Sequence, residues 1–206
     1  MGLIQLMGHH AAQAAAQLAA GCAALGYHLP VAVNLSPKQL LEPGLEGRLL
    51  QACKRHGIGP DMLELELTES ALLHSMDVVT PLLHRRAQGF SLALDDFGTG
   101  YSSLSYLRHL PFNKVKIDRS FVMDIGADPA ATRLLESIVQ MCRVLGMHTV
   151  AEGVETGEQL GALQQMGVEE TQGYHFARPM PVDDWLDLLR QSPGQSPSLP
   201  LLRPAG

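Results

Sequence analysis

The chain alternates short β-like runs with helical patterns, and this alternation limits its fold more than any other feature of the sequence. Six runs have the composition of strands: Val31–Asn34, Leu63–Glu69, Ser91–Asp96, Lys114–Asp118, His148–Glu152 and Glu169–Tyr174. The clearest of the amphipathic helices between them has apolar residues along one face of residues 134–145. Strands separated by helices pair in parallel through βαβ crossovers, so the sequence predicts an α/β fold.

Nearly every predicted strand ends in a polar side chain. These side chains are Asn34, Glu69, Asp95, Asp96, Lys116, Asp118, Glu152 and Gln172. In a (β/α) barrel the carboxyl ends of all strands converge on one rim, where active sites are built, whereas an open doubly wound sheet spreads them along a line. The pattern therefore favours a TIM-like (β/α) barrel over an open sheet.

The strand ends supply hard oxygen donors. The carboxylates are those of Glu69, Asp95, Asp96 and Glu152, and Asn34 adds an amide oxygen. Such ligands suit Mg²⁺ or Mn²⁺ better than zinc, which prefers His and Cys. The nine histidines form no HxxxH or HxH pair, which argues against a histidine-rich metal site. A single acid at the end of a strand is more often a helix N-cap or a solvated charge than part of a site. It is the succession of these acids on consecutive strands that indicates a site.

Two adjacent acids and a lysine indicate what this rim could do. Asp95 and Asp96 could bridge two metal ions about 3.5–4 Å apart, which would clamp a phosphate and activate a water molecule. Lys116, at the end of a neighbouring strand, could position that water or stabilise the charged transition state. The loop after Asp96 contains Gly98 and Gly100, and it could close over the site.

Composition excludes several classes of protein. The net charge of −6 argues against a broad surface for a DNA or RNA polymer. No stretch of the sequence has the character of a transmembrane helix, so no membrane contact is expected within this chain. Cys22, Cys53 and Cys142 are far apart and odd in number, which is typical of buried thiols in a reducing cytoplasm.

Six phrases, in this order along the chain, resemble the successive motifs of EAL domains. They are Asn34-Leu-Ser36, Glu66-Leu-Thr-Glu69, Asp95-Asp-Phe-Gly-Thr-Gly-Tyr-Ser-Ser103, Lys116-Ile-Asp118, Ala151-Glu-Gly-Val-Glu155 and Gln172-Gly-Tyr174. The resemblance runs from about Gly2 to about Leu189. It implies a TIM-like barrel that hydrolyses the bacterial second messenger cyclic di-GMP to linear pGpG, using Mg²⁺ or Mn²⁺, with two ions at the site.

The resemblance also implies which residues hold the metal ions. By position, Asn34, Glu69 and Asp95 match metal ligands of the family. Asp96 and Glu152 match residues associated with the second metal, and both are candidate catalytic residues.

The resemblance implies four further roles. Lys116 matches the lysine that contacts the catalytic water and is the third candidate catalytic residue. Glu155 resembles the glutamate that orders the loop after Asp96. Gln172 matches a glutamine of the site. Arg178 belongs to an Arg-Pro phrase that resembles the family's closing motif, with a role that is either structural or adjacent to the ligand.

One departure from the family pattern is large. EAL domains begin with two strands, the second of which carries the Glu-Ala-Leu signature, and that phrase occurs nowhere in this sequence. We therefore expect a barrel that is incomplete at its N-terminus, with about six of eight strands. Residues 1–191 would form a partial EAL phosphodiesterase domain, and residues 192–206 a flexible tail rich in Pro and Ser.

The missing strand leaves a second function open. A catalytically inactive EAL-type module that binds the nucleotide or a protein partner is the alternative to an enzyme, and a decayed domain without activity is a third. The expected ligand is cyclic di-GMP, and a homodimer is compatible with the family. The expected location is the cytoplasm, although upstream domains could tether a longer parent protein to a membrane.

Overall fold

The computed structural model describes residues 3–70, 89–98, 107 and 110–191. These residues fall into two compact units. The first lies within Met1–Leu92 and Met180–Pro200, and the second lies within Ala93–Pro179. The tail predicted for residues 192–206 lies outside the described residues.

The described residues of the first unit form four α-helices and two parallel strands. Its helices are α1 (Leu3–Ala24), α2 (Pro37–Leu40), α3 (Leu45–His56) and, near the end of the chain, α7 (Val182–Gln191); its strands are β1 (Val31–Asn34) and β2 (Leu63–Thr68). β1 pairs in parallel with β2, with Asn34 opposite Glu66. A third strand, β3 (Ser91–Phe97), begins where this unit ends.

Helix α1 buries a face of small side chains. Ala12, Ala15, Ala16 and Ala19 recur at the spacing of one helical face, and all are buried. Small side chains allow close approach, and α1 packs against α3, β1 and α7. Within the described residues, no helix combines the length and apolar character needed to cross a membrane.

The described part of the second unit contains the rest of β3 and three further strands. These are β4 (Lys114–Ile117), β5 (His148–Ala151) and β6 (Glu170–Thr171), with helices α4 (Arg119–Met123), α5 (Pro129–Val144) and α6 (Gly157–Met166). β3 pairs with β4, β4 with β5 and β5 with β6, each in parallel. The core of this unit consists of Ile117, Val122, Leu135, Val139, Ala151, Val154, Leu163 and Val168.

Side-chain caps fix where α2, α4 and α6 begin. Ser36 and Thr156 both form complete capping boxes, the first with Gln39 and the second with Gln159, as their sequences predict. Asp118, predicted as the last residue of a strand, instead caps α4 by accepting a hydrogen bond from the backbone N–H of Ser120 at 3.0 Å. Strand β4 therefore ends one residue earlier, at Ile117.

The predicted α/β class and the parallel pairing are confirmed. Five predicted strands agree with the observed bounds to within one residue at each end. The sixth was predicted over Glu169–Tyr174 and is only Glu170–Thr171.

Candidate active site

Asp95 and Asp96 lie at a β-bulge, where the register of β3 against β4 shifts between Leu94 and Phe97. Adjacent side chains of a regular strand point to opposite faces. The bulge and the left-handed backbone of Asp96, with φ of 53°, interrupt that alternation. Both carboxylates can therefore join one cluster, in which ligand oxygens of Asp95, Asp96 and Glu152 all lie within 4.8 Å of one another.

Lys116 brings a positive charge to this acidic cluster. Its Nζ lies 2.7 Å from Glu152 Oε1 and 3.1 Å from Asp95 Oδ1. Lys116 lies on β4 and is only 7% exposed, so solvent screens these interactions weakly. Glu152 follows β5, and its backbone N–H donates to Ile117 O at 3.1 Å, which keeps it at the level of the end of β4.

One carboxylate oxygen of Asp95 has incomplete hydrogen bonding. Among the described residues, no group donates a well-aligned hydrogen bond to the buried Oδ1 of Asp95, although Lys116 Nζ is in ionic contact with it. A buried acceptor that lacks a well-aligned donor can also coordinate a hard cation. This oxygen and the all-carboxylate donor set of Asp95, Asp96 and Glu152 fit Mg²⁺ or Mn²⁺.

Gln172 reaches the acidic cluster from the end of β6. Its Nε2 donates to Glu152 Oε1 at 2.6 Å. Its backbone N–H donates to Ala151 O at 2.9 Å, and its carbonyl accepts from Val154 N at 3.0 Å. Gly173, with φ of 156°, makes this possible, because a Cβ there would overlap the backbone of Val154.

The surroundings of the acidic cluster raise the pKa of two of its carboxylates, those of Glu152 and Asp96. Burial raises the pKa of Glu152; Lys116 opposes the rise through its hydrogen bond and its charge, and Asp95 and Asp96 add to it. Burial also raises the pKa of Asp96, helped by the charges of Asp95 and Asp118. Among the described residues, three carboxylates face one ammonium group here, and a further cation would offset the excess negative charge.

Two predicted ligands belong to the first unit. Asn34 ends β1 and Glu69 directly follows β2. Since these strands are parallel, the two residues lie at the same end of the pair. Glu69 is 4% exposed. That they join the acidic cluster of the second unit stays a prediction.

The remaining predicted residues lie on loops of the second unit. Glu155 is in the β5–α6 loop, and its backbone N–H donates to Gln159 Oε1 at 2.8 Å. The loop it is predicted to order includes residues 99–106, which lie outside the described residues. The guanidinium carbon of Arg178 lies 4.8 Å from the ring centroid of Tyr174, a cation–π contact that sequence reasoning missed.

The family model of the EAL domain matches residues 1–179. The chain belongs to the EAL domain family. It is 45% identical over 163 residues to the cyclic di-GMP phosphodiesterase NbdA of Pseudomonas aeruginosa, a match that covers 79% of this chain and 21% of NbdA. The chain thus spans about a fifth of the length of the curated relatives it matches.

Solved EAL structures match the fold as well. The cyclic di-GMP complex of the PaMucR phosphodiesterase has a TM-score of 0.85 at 36% identity, covering 89% of this chain and 75% of that one. The manganese and cyclic di-GMP complex of Klebsiella pneumoniae BlrP1 has a TM-score of 0.73 at 35% identity, covering 83% and 45%. The strands and helices are therefore those of a TIM-like EAL fold, and the predicted family and fold class are confirmed.

Proposed function

We propose that this EAL domain hydrolyses cyclic di-GMP to linear pGpG with two Mg²⁺ or Mn²⁺ ions. The observation that carries the proposal is the acidic cluster of Asp95, Asp96 and Glu152, with Lys116 in contact with two of its members. The names of NbdA and PaMucR as phosphodiesterases, and the presence of manganese with cyclic di-GMP in BlrP1, support it.

The proposed reaction consumes one water molecule and needs no other reactant. The water oxygen attacks one phosphorus, a P–O bond to a ribose 3′ oxygen breaks, and that oxygen leaves with a proton. The proton lost by the water balances the one gained by the leaving group. The product is a linear dinucleotide with a 5′ phosphate.

Some residues of the chain would bind the metal ions, and others would orient the water or the substrate. Asn34, Glu69 and Asp95 would hold the first ion, and Asp96 and Glu152 the second. Bound ions would polarise the phosphate and lower the pKa of the attacking water. An all-oxygen ligand set of this kind leaves Mg²⁺ and Mn²⁺ as alternatives.

Lys116 would orient the attacking water, because its ammonium is already held between two carboxylates. Gln172 would keep Glu152 in place through its 2.6 Å hydrogen bond. Arg178 would contact the substrate and Glu155 would order the loop after Asp96. Each of these roles is part of the proposal.

We also propose that the domain is cytoplasmic and that it can form a homodimer. Cys22, Cys53 and Cys142 are all free and buried, and free thiols are typical of a reducing compartment. Sedimentation of the purified chain would measure its oligomeric state.

The test measures pGpG release from cyclic di-GMP by wild type and Asp95→Asn, with Mn²⁺ or Mg²⁺. Asparagine keeps the shape of the side chain but loses the charge that holds a cation, and we expect a loss of about 100-fold or more, as for small misplacements at a reacting centre. Asp184→Asn is the matched control, since Asp184 is exposed on α7. Binding of cyclic di-GMP without pGpG release by wild type would favour the inactive nucleotide-binding module instead.

A second measurement separates the metal site from the chemistry. Titration calorimetry with Mn²⁺ should give weaker binding by Asp95→Asn than by wild type or Asp184→Asn. Equal binding by all three proteins would reject the site.

Glu69→Gln tests whether the first unit contributes to the site. If Glu69 holds an ion, this variant loses hydrolysis while its circular dichroism spectrum stays that of wild type. Retained pGpG release in Mg²⁺ would remove Glu69 from the ligand set.

A further inference from the structure

The shortest described strand of the second unit directly precedes a residue that contacts the acidic cluster. Strand β6 is only Glu170–Thr171, with Glu170 opposite Val150 on β5. The next residue, Gln172, donates its side-chain hydrogen bond to Glu152. Only two residues of β6 pair with β5, and they supply few backbone hydrogen bonds between the strands. Other contacts must therefore fix the position of β6 along β5.

The start of β5 shows one such contact. The backbone N–H groups of His148 and Glu152 donate to carbonyls of the β4 segment at 2.9 and 3.1 Å. Because N–H groups alternate sides along a strand, that of Thr149 faces β6. Strand β6 begins one residue further on, so the acceptor opposite Thr149 is the Glu169 side chain and not a strand carbonyl. Glu169 Oε2 accepts a hydrogen bond from the Thr149 N–H at 2.8 Å and a second one from the Thr149 hydroxyl.

This clasp between Glu169 and Thr149 joins a surface residue to a buried one. Thr149 is 1% exposed, whereas Glu169 is an exposed residue. Burial would raise the pKa of Glu169, but the hydrogen bonds from Thr149 outweigh it and lower the pKa. The carboxylate is therefore charged at neutral pH, and hydrogen bonds to a charged acceptor are stronger than neutral ones.

We propose that Glu169 is a positioning residue, which fixes β6 on β5 through Thr149 and thereby places the Gln172 side chain on Glu152. Glu169 cannot act on the acidic cluster directly. Its bonds lie three residues before Glu152, roughly 10 Å along the strand. At the other end of β6, the close approach of Gly173 to Val154 completes the hold on this segment. The proposal rests on the proposed function only in taking Glu152 as a metal ligand.

Amide hydrogen exchange tests the first half of the proposal. In Glu169→Ala, the amides of Gln172 and Val154 should exchange about 10-fold faster, because the strand is held at one end only. The amide of Glu152, which bonds towards β4, should keep its protection. Glu169→Gln keeps an oxygen that can accept both bonds from Thr149, so it should restore protection.

Glu170→Ala is the matched control for this experiment. Glu170 is the next residue, is exposed, and forms an ion pair across β5 with Lys114 at 3.1 Å. Its removal takes a charge from the same strand without touching the clasp. Exchange that is equally fast in Glu170→Ala and Glu169→Ala would overturn the assignment. If Glu169→Ala does not fold, Thr149→Val is the variant to use. It removes the hydrogen bond from the Thr149 hydroxyl to Glu169 and keeps the one from the Thr149 backbone N–H.

Mn²⁺ affinity tests the second half. Loss of an outer-shell partner typically weakens metal binding by 10–100-fold, and we expect Glu169→Ala to weaken it by up to about 10-fold. If Glu169 acts through Gln172, the double variant with Gln172→Ala binds no more weakly than Gln172→Ala alone. Additive losses, or faster exchange with unchanged affinity, would overturn the placement of Gln172 by Glu169.

The two proposals fail in different ways. If wild type binds no Mn²⁺ but the exchange results are as expected, the proposed function is wrong and the role of Glu169 in fixing β6 holds. If wild type binds Mn²⁺ and hydrolyses cyclic di-GMP, while Glu169→Ala matches wild type in exchange and affinity, the proposed function stands and the role of Glu169 is wrong.

Discussion

Lys116 is the residue on which the electrostatics of the acidic cluster depend. Its ammonium contacts both Asp95 and Glu152, and all three side chains are largely buried. Removing one partner from a buried ion pair leaves an uncompensated charge, which costs more than the pair itself contributes. Without a bound metal ion, the ammonium of Lys116 therefore offsets part of the negative charge of Asp95 and Glu152.

Lys116→Met should lower the free energy of unfolding by about 3 kcal/mol, the cost of breaking a buried ion pair. Urea denaturation with a chelator present measures it. Lys114→Met is the control, because its pair with Glu170 is partly exposed and should be worth less than about 1 kcal/mol. Saturating Mn²⁺ should restore part of the stability of Lys116→Met, since a bound ion replaces the lost charge. Equal losses in the two variants would contradict this.

The residue types of the site could be predicted from the sequence, but their geometry could not. Carboxylates at successive strand ends predicted Asp95, Asp96 and Glu152 together, and the structure brings them together. The bulge that lets adjacent acids share one cluster was missed. Its signal was Asp96 itself, because Asp is one of the few side chains that tolerate the left-handed region. Glu169 was missed because its partner, Thr149, is distant in sequence.

At the scale of elements, the end of β6 is set by a backbone contact. Gly173 approaches Val154 so closely that no side chain fits, and His175 N donates to Val154 O at 2.9 Å. The strand pattern of residues 169–174 predicted six extended residues, since alternation of side chains says nothing about such a contact. For the other described strands the pattern was right to within one residue.

Two Gly→Ala substitutions in the second unit should change stability in opposite directions. Gly173→Ala should lower the free energy of unfolding by roughly 1–3 kcal/mol, because alanine is strained at a φ of 156° and meets the Val154 backbone. Gly161→Ala, inside α6 with open space at the Cβ position, should raise it by up to about 1 kcal/mol through helix propensity. Thermal and urea unfolding measure both. Similar effects of the two substitutions would show that Gly173 is not held as described.

At the scale of the whole molecule, the family match and the folded first unit end at different places. The EAL model matches residues 1–179, whereas α7 begins at Val182. Helix α7 nevertheless packs on α1: Leu189, Cys22 and Tyr27 form a buried cluster, and the Tyr27 hydroxyl donates to Leu189 O at 3.3 Å. Sequence reasoning did not pair α7 with α1, because the contact joins residues that are far apart in the chain.

Truncation after Gln191 should therefore leave stability unchanged, whereas truncation after Pro179 should not. The residues beyond Gln191 have the composition of a flexible tail. Loss of α7 uncovers Cys22 and Tyr27, which are 1% and 8% exposed, and removes Leu189, whose burial alone is worth about 1.5–3 kcal/mol. Urea denaturation followed by circular dichroism compares the two truncations with the full chain.

A point variant tests the same contact without shortening the chain. Leu189→Ala should lower the free energy of unfolding by about 2–5 kcal/mol, while Val182→Ala, at an exposed position of α7, should change it by less than about 0.5 kcal/mol. Trp185 is the only tryptophan in the sequence and packs against this cluster, so its fluorescence reports directly on the docking of α7. A truncation after Pro179 that unfolds as cooperatively as the full chain, at the same urea concentration, would show that α7 is dispensable. The family boundary would then also be the folding boundary.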